Sequence, residues 1–299
     1  MLPLLLLVAT CIPCAREVVV APGESLHVEV RGSGPDVVLI PGLFGSAYGY
    51  RAVVEHLVAA GRRTIVIEPL GLGNSSRPRG ADYSLTAQAA RIAAVLDSLG
   101  VDSAVVVSHA VGTGIALRLA LARPLMVRSV ISLGGGIPES AATAGLRRAV
   151  SWAPLLRILG AGSLRKRVHG SLVHSSGDTS WVTDSVIAHY TGPATADLGA
   201  TLAAFRGMVQ STEAVQLLPR LGEIRCPVIL LLGAAPHEGR TADGEVELLR
   251  SGVRRFELQL VPGAGSYLQE ERPDAVFAVI SRMVTGGARV VDVVAAARP

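Results

Sequence analysis

Residues 104–121 read AVVVSHAVGTGIALRLAL, and the change of character halfway along this stretch decides the fold. Residues 104–107 are a short apolar run; small and polar residues follow, and from Ile115 apolar and small residues recur at helical spacing. A buried strand that turns sharply into a helix has this pattern. Ser108 and Gly112 stand two places to either side of Ala110. Small residues are needed there, because strand end and helix start approach each other closely at such a turn.

Working outward, residues 37–40, 64–67, 127–133, 228–232 and 256–261 are further short apolar or β-branched runs. Continuous apolar strands are expected where both faces of a parallel sheet are covered. Helical periodicity fills 47–60, 84–99 and 273–283, while residues 17–20 and 26–31 flank Ala21-Pro22-Gly23-Glu24 as an antiparallel hairpin. The expected class is α/β, a mostly parallel central sheet flanked by helices. Residues 139–222 interrupt it with helical periodicity, both tryptophans and no strand-like run. The expected division is a core of 16–138 and 223–284, a helical insertion of 139–222, an N-terminal segment of 1–15 and a C-terminal tail of 285–299.

The chain has 299 residues, 49% of them hydrophobic and 17% charged, so a large core is assured. Its net charge of +4 comes almost wholly from arginine, Lys166 being the single lysine. Outside Arg165-Lys166-Arg167 the basic residues are scattered and lack interleaved aromatics, which argues against nucleic-acid binding. Cys11, Cys14 and Cys226 form neither a disulfide framework nor a metal spacing. No dinucleotide fingerprint, phosphate loop or metal-ligand cluster occurs, so no cofactor is expected. His169, His174 and His189 suit no metal and read as surface or core histidines. Residues 2–10 are apolar, too short to span a bilayer but long enough for a signal-peptide core. Export or membrane association through residues 1–15 is one expectation; an apolar extension packed on a cytoplasmic domain is the other.

Ser108-His109-Ala110-Val111-Gly112-Thr113 resembles the nucleophile elbow of the α/β-hydrolase superfamily, of the type with a helical cap. The likeness extends over nearly the whole chain. Pro41-Gly42-Leu43-Phe44-Gly45-Ser46 resembles its oxyanion loop, and Glu68-Pro69-Leu70-Gly71-Leu72-Gly73-Asn74-Ser75 its Asp-x-x-Gly-x-Gly-x-Ser loop with Glu68 for the aspartate. Cys226-Pro227 through Gly233 resembles the strand before the family's acid, and Pro262 through Pro273 the loop that carries its histidine. The resemblance implies oxyanion donors at the main-chain N–H of Leu43 and Val111. Counting along the matched frames, the nucleophile falls on Ala110, the acid on Pro236 and the base on Ser266.

A serine hydrolase needs nucleophile, base and orienting acid joined by the fold. All three positions are substituted, so the expected function is a hydrolase-like protein without the Ser-Asp-His triad. It would bind a small apolar ligand or a protein partner in the cleft under the cap. Candidate lining residues are Phe44, His109, Trp152 and Tyr267, although strand alternation turns His109 away from the side of position 110. The alternative is an active hydrolase on an ester or related carbonyl substrate, using a relocated set of Ser266, His237 and Glu238.

Overall fold

The computed structural model describes residues 14–286, apart from the side chains of 14, 144, 145, 149, 153–159 and 161. Residues 1–13 and 287–299, which hold most of the N-terminal segment and the tail, lie outside that description, as do the side chains of Leu155, Leu156, Ile158 and Leu159 in the expected cap core. The chain forms β1 (Cys14–Ala21), β2 (Glu24–Arg31), β3 (Asp36–Ile40), α1 (Arg51–Ala59), β4 (Arg63–Ile67), α2 (Leu85–Ser98), β5 (Ala104–His109), α3 (Gly112–Ala122) and β6 (Val127–Leu133). Then come α4 (Ala144–Ser151), α5 (Ala153–His174), α6 (Asp184–Ala196) and α7 (Leu198–Gln210), before β7 (Val228–Gly233), α8 (Asp243–Gly252), β8 (Phe256–Val261), α9 (Leu268–Glu271) and α10 (Pro273–Val284).

Among the described residues the eight strands make one sheet in the order β1-β2-β4-β3-β5-β6-β7-β8. The β1–β2 and β2–β4 pairs are antiparallel and all others parallel. β1 begins at Cys14, so the last two residues of the expected N-terminal segment belong to the sheet: Cys14 pairs with Val30 and Ala15 with Glu29. β5 lies near the middle, buried at every position, and its alternation divides the core. Ala104 and Val106 join α2, α3 and α8 on one face; Val105 and Val107 join α1 and α10 on the other. The helix after the elbow starts at Gly112, three residues earlier than the apolar periodicity suggests, because that periodicity is silent across Gly112-Thr113-Gly114.

Between β6 and β7 the described residues contain helices and no strand. α5 is broken at Gly160, whose φ of 71° and ψ of −169° no helix can accommodate. Both ends of this helical segment meet at α3. Arg118, 2% exposed, donates to the carbonyls of Gly114, Pro138, Glu139 and Val215. It pairs with Glu213 at 3.4 Å, and Glu213 accepts from the N–H groups of Leu85 and Thr86 at the start of α2. Glu139 accepts from Leu217 and Leu218 N–H. One guanidinium thus joins the entry and exit of the segment to the helix that follows the elbow.

Removing one partner of a buried, hydrogen-bonded ion pair leaves the other uncompensated, at a cost of about 3–5 kcal/mol. Arg118→Met is therefore expected to lower the melting temperature strongly. Arg118→Met/Glu213→Gln should recover part of the loss, and equal melting of both variants would show that the pair carries little of it.

Candidate active site

Ile40 pairs with Ser108, and Ser108 with Ser132, which brings the ends of β3, β5 and β6 level. Immediately beyond, Ala110 turns the chain with φ 48°, a left-handed conformation that costs a non-glycine residue about 1 kcal/mol or more. Its neighbours make room. A Cβ added to Gly112 would lie 3.1 Å from the Ile40 carbonyl oxygen, and one added to Gly135 would lie 2.5 Å from that of Ala110. The elbow is therefore built in full, with a methyl group at its tip.

Beneath the tip the hydroxyls are engaged. Ser108 Oγ lies 3.3 Å from Thr113 Oγ1, which lies 2.8 Å from Ser132 Oγ, and Ser132 donates to the Gly135 carbonyl. Ser108 is fully buried and held in this chain of hydrogen bonds, so it is not presented to a substrate.

Among the described residues, the N–H groups of Leu43 and Val111 make no hydrogen bond within the protein. Both residues border one small apolar void of about 20 Å³, with Leu72, Leu146 and Met208. A second void of about 10 Å³ lies beside Phe44, which meets Phe205 edge-on at 5.2 Å. Each has room for about one water. Glu68, completely buried, supports the oxyanion loop from below by accepting from Ala47 N–H at 2.7 Å and from Asn74 N–H. Burial holds its carboxyl above the ordinary range.

The relocated set is not joined by hydrogen bonds. His237 donates from Nδ1 to the Ala235 carbonyl at 2.7 Å, the exposed Glu238 uses its N–H on the His174 carbonyl, and Ser266 donates its N–H to Ser175. Ser266 Oγ has no hydrogen-bond partner, and Gly239 brings its α-carbon close: a Cβ there would sit 4.0 Å from that hydroxyl. Pro236 lies exposed at the acid position. The spacing that put His237 beside Ser266 did not anticipate that its ring would fold back on its own loop.

The His109 ring lies beside Gly42, where an added Cβ would come within 2.9 Å of its Nδ1 and 3.4 Å of the Ala110 methyl. Its Nε2 donates to the Ser266 carbonyl at 3.1 Å, and its ring centroid lies 5.2 Å from that of Tyr267. A carbonyl accepts only from N–H, which assigns the neutral tautomer; burial pushes the pKa down to about 4. Tyr267 also meets Trp181 at 5.3 Å and Tyr190 at 6.4 Å, so these aromatic rings connect the elbow strand to the helical segment. Tyr190 donates to Glu270, which pairs with Arg51 at 2.7 Å. Trp152, expected in the cleft, is instead 40% exposed, its ring lying under Arg167 at 3.9 Å. Its position at the junction of α4 and α5 turns it outward.

Sequence reasoning missed Glu271. Its carboxylate accepts from the N–H groups of Gly177, Asp178, Gly265 and Tyr267, tying the loop before α6 to the loop that holds Ser266. Pattern analysis sees only Glu-x-Pro at a helix start; two of the donors, Gly177 and Asp178, lie 94 and 93 residues away. A cavity of about 560 Å³ opens between β2, β4 and α6, lined by Glu29, Arg31, Arg51, Glu68 and His189 together with apolar residues. Nearby His27 is held up to about 9, chiefly by its hydrogen bond to Glu29.

A mostly parallel sheet with this strand order, a strained elbow after β5 and a free pair of main-chain donors define a known class. Residues 35–160 match the family model described as alpha/beta hydrolase fold, and the chain is an α/β-hydrolase-fold protein. It is 35% identical over 112 residues to an epoxide hydrolase of Caballeronia sordidicola, covering 37% of this chain and 34% of that one. Over such stretches the chain spans less than half the length of the curated relatives it matches. Cfl2 from Burkholderia cenocepacia superposes with a TM-score of 0.76 at 23% identity, covering 90% of this chain and 95% of that one. The 2-hydroxy-6-oxo-6-phenylhexa-2,4-dienoate hydrolase from Rhodococcus sp. strain RHA1 gives 0.76 at 17%, covering 92% and 99%. At these identities the two structures show a common fold.

The two displaced histidines bear on stability with opposite sign. His109 prefers the neutral form in the fold, so its contribution is complete above pH 6.5 and is lost as pH falls toward about 4. His27 prefers the charged form, so its contribution is complete below pH 6.5 and is lost as pH rises through about 9. Unfolding free energy measured against pH should lose acid-side slope in His109→Gln and alkaline-side slope in His27→Gln. Unchanged slopes would contradict these assignments.

Proposed function

We propose that this chain is a non-catalytic α/β-hydrolase-fold protein that binds a small, largely apolar ligand, or a protein partner, beneath the helical segment, which serves as its cap. The observation that carries this reading is Ala110. The backbone turn that presents a nucleophile is retained at φ 48°, while the side chain it presents is a methyl group. Pro236 and Ser266 at the acid and base positions support it, as does the engagement of Ser108 with Thr113. The unpaired N–H groups of Leu43 and Val111 suit one acceptor oxygen, so a ligand presenting a carbonyl matches them, and its apolar body would enter only with the helical segment moved aside, since the void there has room for about one water.

A second reading, hydrolysis of an ester or related carbonyl substrate through Ser266, His237 and Glu238, draws on the same two donors and on the unbonded Ser266 hydroxyl. Relatives named as hydrolases, such as the epoxide hydrolase above, are consistent with either.

The full chain is the proper material for the test, since cutting at residue 15 would remove the start of β1. Short and medium acyl p-nitrophenyl esters should show no turnover above buffer with wild type, Ala110→Ser, Ser266→Ala or His237→Ala, because a restored hydroxyl finds no base. Turnover by wild type that disappears in Ser266→Ala or His237→Ala would overturn the proposal in favour of the second reading. Titrating a short-chain ester should shift the amide resonances of Leu43 and Val111.

A further inference from the structure

Positive charge is concentrated in one part of the chain. Between Glu139 and Asp178 lie Arg147, Arg148, Arg157, Arg165, Lys166 and Arg167 and no carboxylate, whereas the remainder holds 22 basic against 24 acidic residues. The helices explain the display. α5 buries Leu164, Val168 and Leu172 at four-residue steps, which leaves Arg165, Lys166 and Arg167 exposed on the other side. On α4, Leu146 is buried and Arg147 and Arg148 face outward. Trp152 stands exposed at the junction of α4 and α5, with the Arg167 guanidinium 3.9 Å from the centre of its ring. Among the described residues none of these five cations has an ion-pair partner.

We propose that this face of α4 and α5 docks on an anionic lipid surface. Five unpaired cations supply attraction to acidic headgroups, each contributing about 1 kcal/mol close to a charged bilayer. Trp152 supplies an amphipathic ring of the kind that settles at headgroup depth. The surface has the make-up of a peripheral membrane contact: cations around an aromatic anchor, on helices whose apolar sides are already used in packing. A single exposed aromatic without further rings to stack bases fits a bilayer better than a nucleic acid. The apolar residues 2–10 of the same chain would add a second lipid-binding element, in line with the general need for two signals in stable attachment.

The test is co-sedimentation of the full chain with vesicles of phosphatidylcholine alone and of phosphatidylcholine mixed with phosphatidylglycerol, at low and high salt. Wild type should sediment more strongly with the mixed vesicles, and this excess should disappear at high salt. Arg165→Glu/Lys166→Glu/Arg167→Glu should bind the mixed vesicles about 100-fold more weakly. Arg79→Glu/Arg225→Glu/Arg254→Glu, an equal charge change at exposed sites elsewhere, should stay close to wild type. Trp152→Ala should weaken binding and keep its salt dependence. Circular dichroism checks that each variant folds. Equal binding to both vesicle types, or equal losses in the two triple variants, would overturn the proposal. So would retention of duplex DNA by the α5 cations at salt that releases the vesicles.

Discussion

Carboxylates that accept main-chain N–H groups, most of them buried, hold the loops of this molecule in place. Glu68 joins the loop after β3 to the loop after β4, Glu213 caps α2 from the far end of the helical segment, and Glu139 secures the return of that segment to the core. Glu271 gathers four donors from two loops. Hydrogen bonds to an ionised acceptor are roughly twice as strong as neutral ones, and each such contact satisfies a backbone donor that would otherwise be orphaned. With a single lysine in the chain, these acids work on the backbone and on arginine.

The consequence for the site is rigidity. Glu68 and Glu271 brace the two loops that flank the elbow, and Arg118 braces the helix behind it. The turn at Ala110 is hemmed by Gly112 and Gly135, and the loop at Ser266 is held by Ser175 and by Glu271. Scaffold and chemistry are carried by different residues, so fold and activity have to be argued from different observations.

The parallel sheet, the elbow and the loops at 41–46 and 68–75 were legible in sequence because each depends on short-range signals: apolar runs, glycines and spacing from a strand end. The helical periodicity from residue 84 was legible for the same reason, and α2 starts there, with Ser84 Oγ accepting from Ala87 N–H. The carboxylate contacts were not legible, since an isolated glutamate carries no mark of a donor some 90 residues distant. The outward turn of Trp152 was hidden too. Hydrophobicity places an aromatic in a core by default, whereas its exposure depends on the kinked path of α5 and on Arg167 lying over the ring.

The turn at Ala110 holds a β-carbon at φ 48°, an angle that glycine would adopt freely. The elbow is therefore a reserve of conformational energy, open to release by substitution.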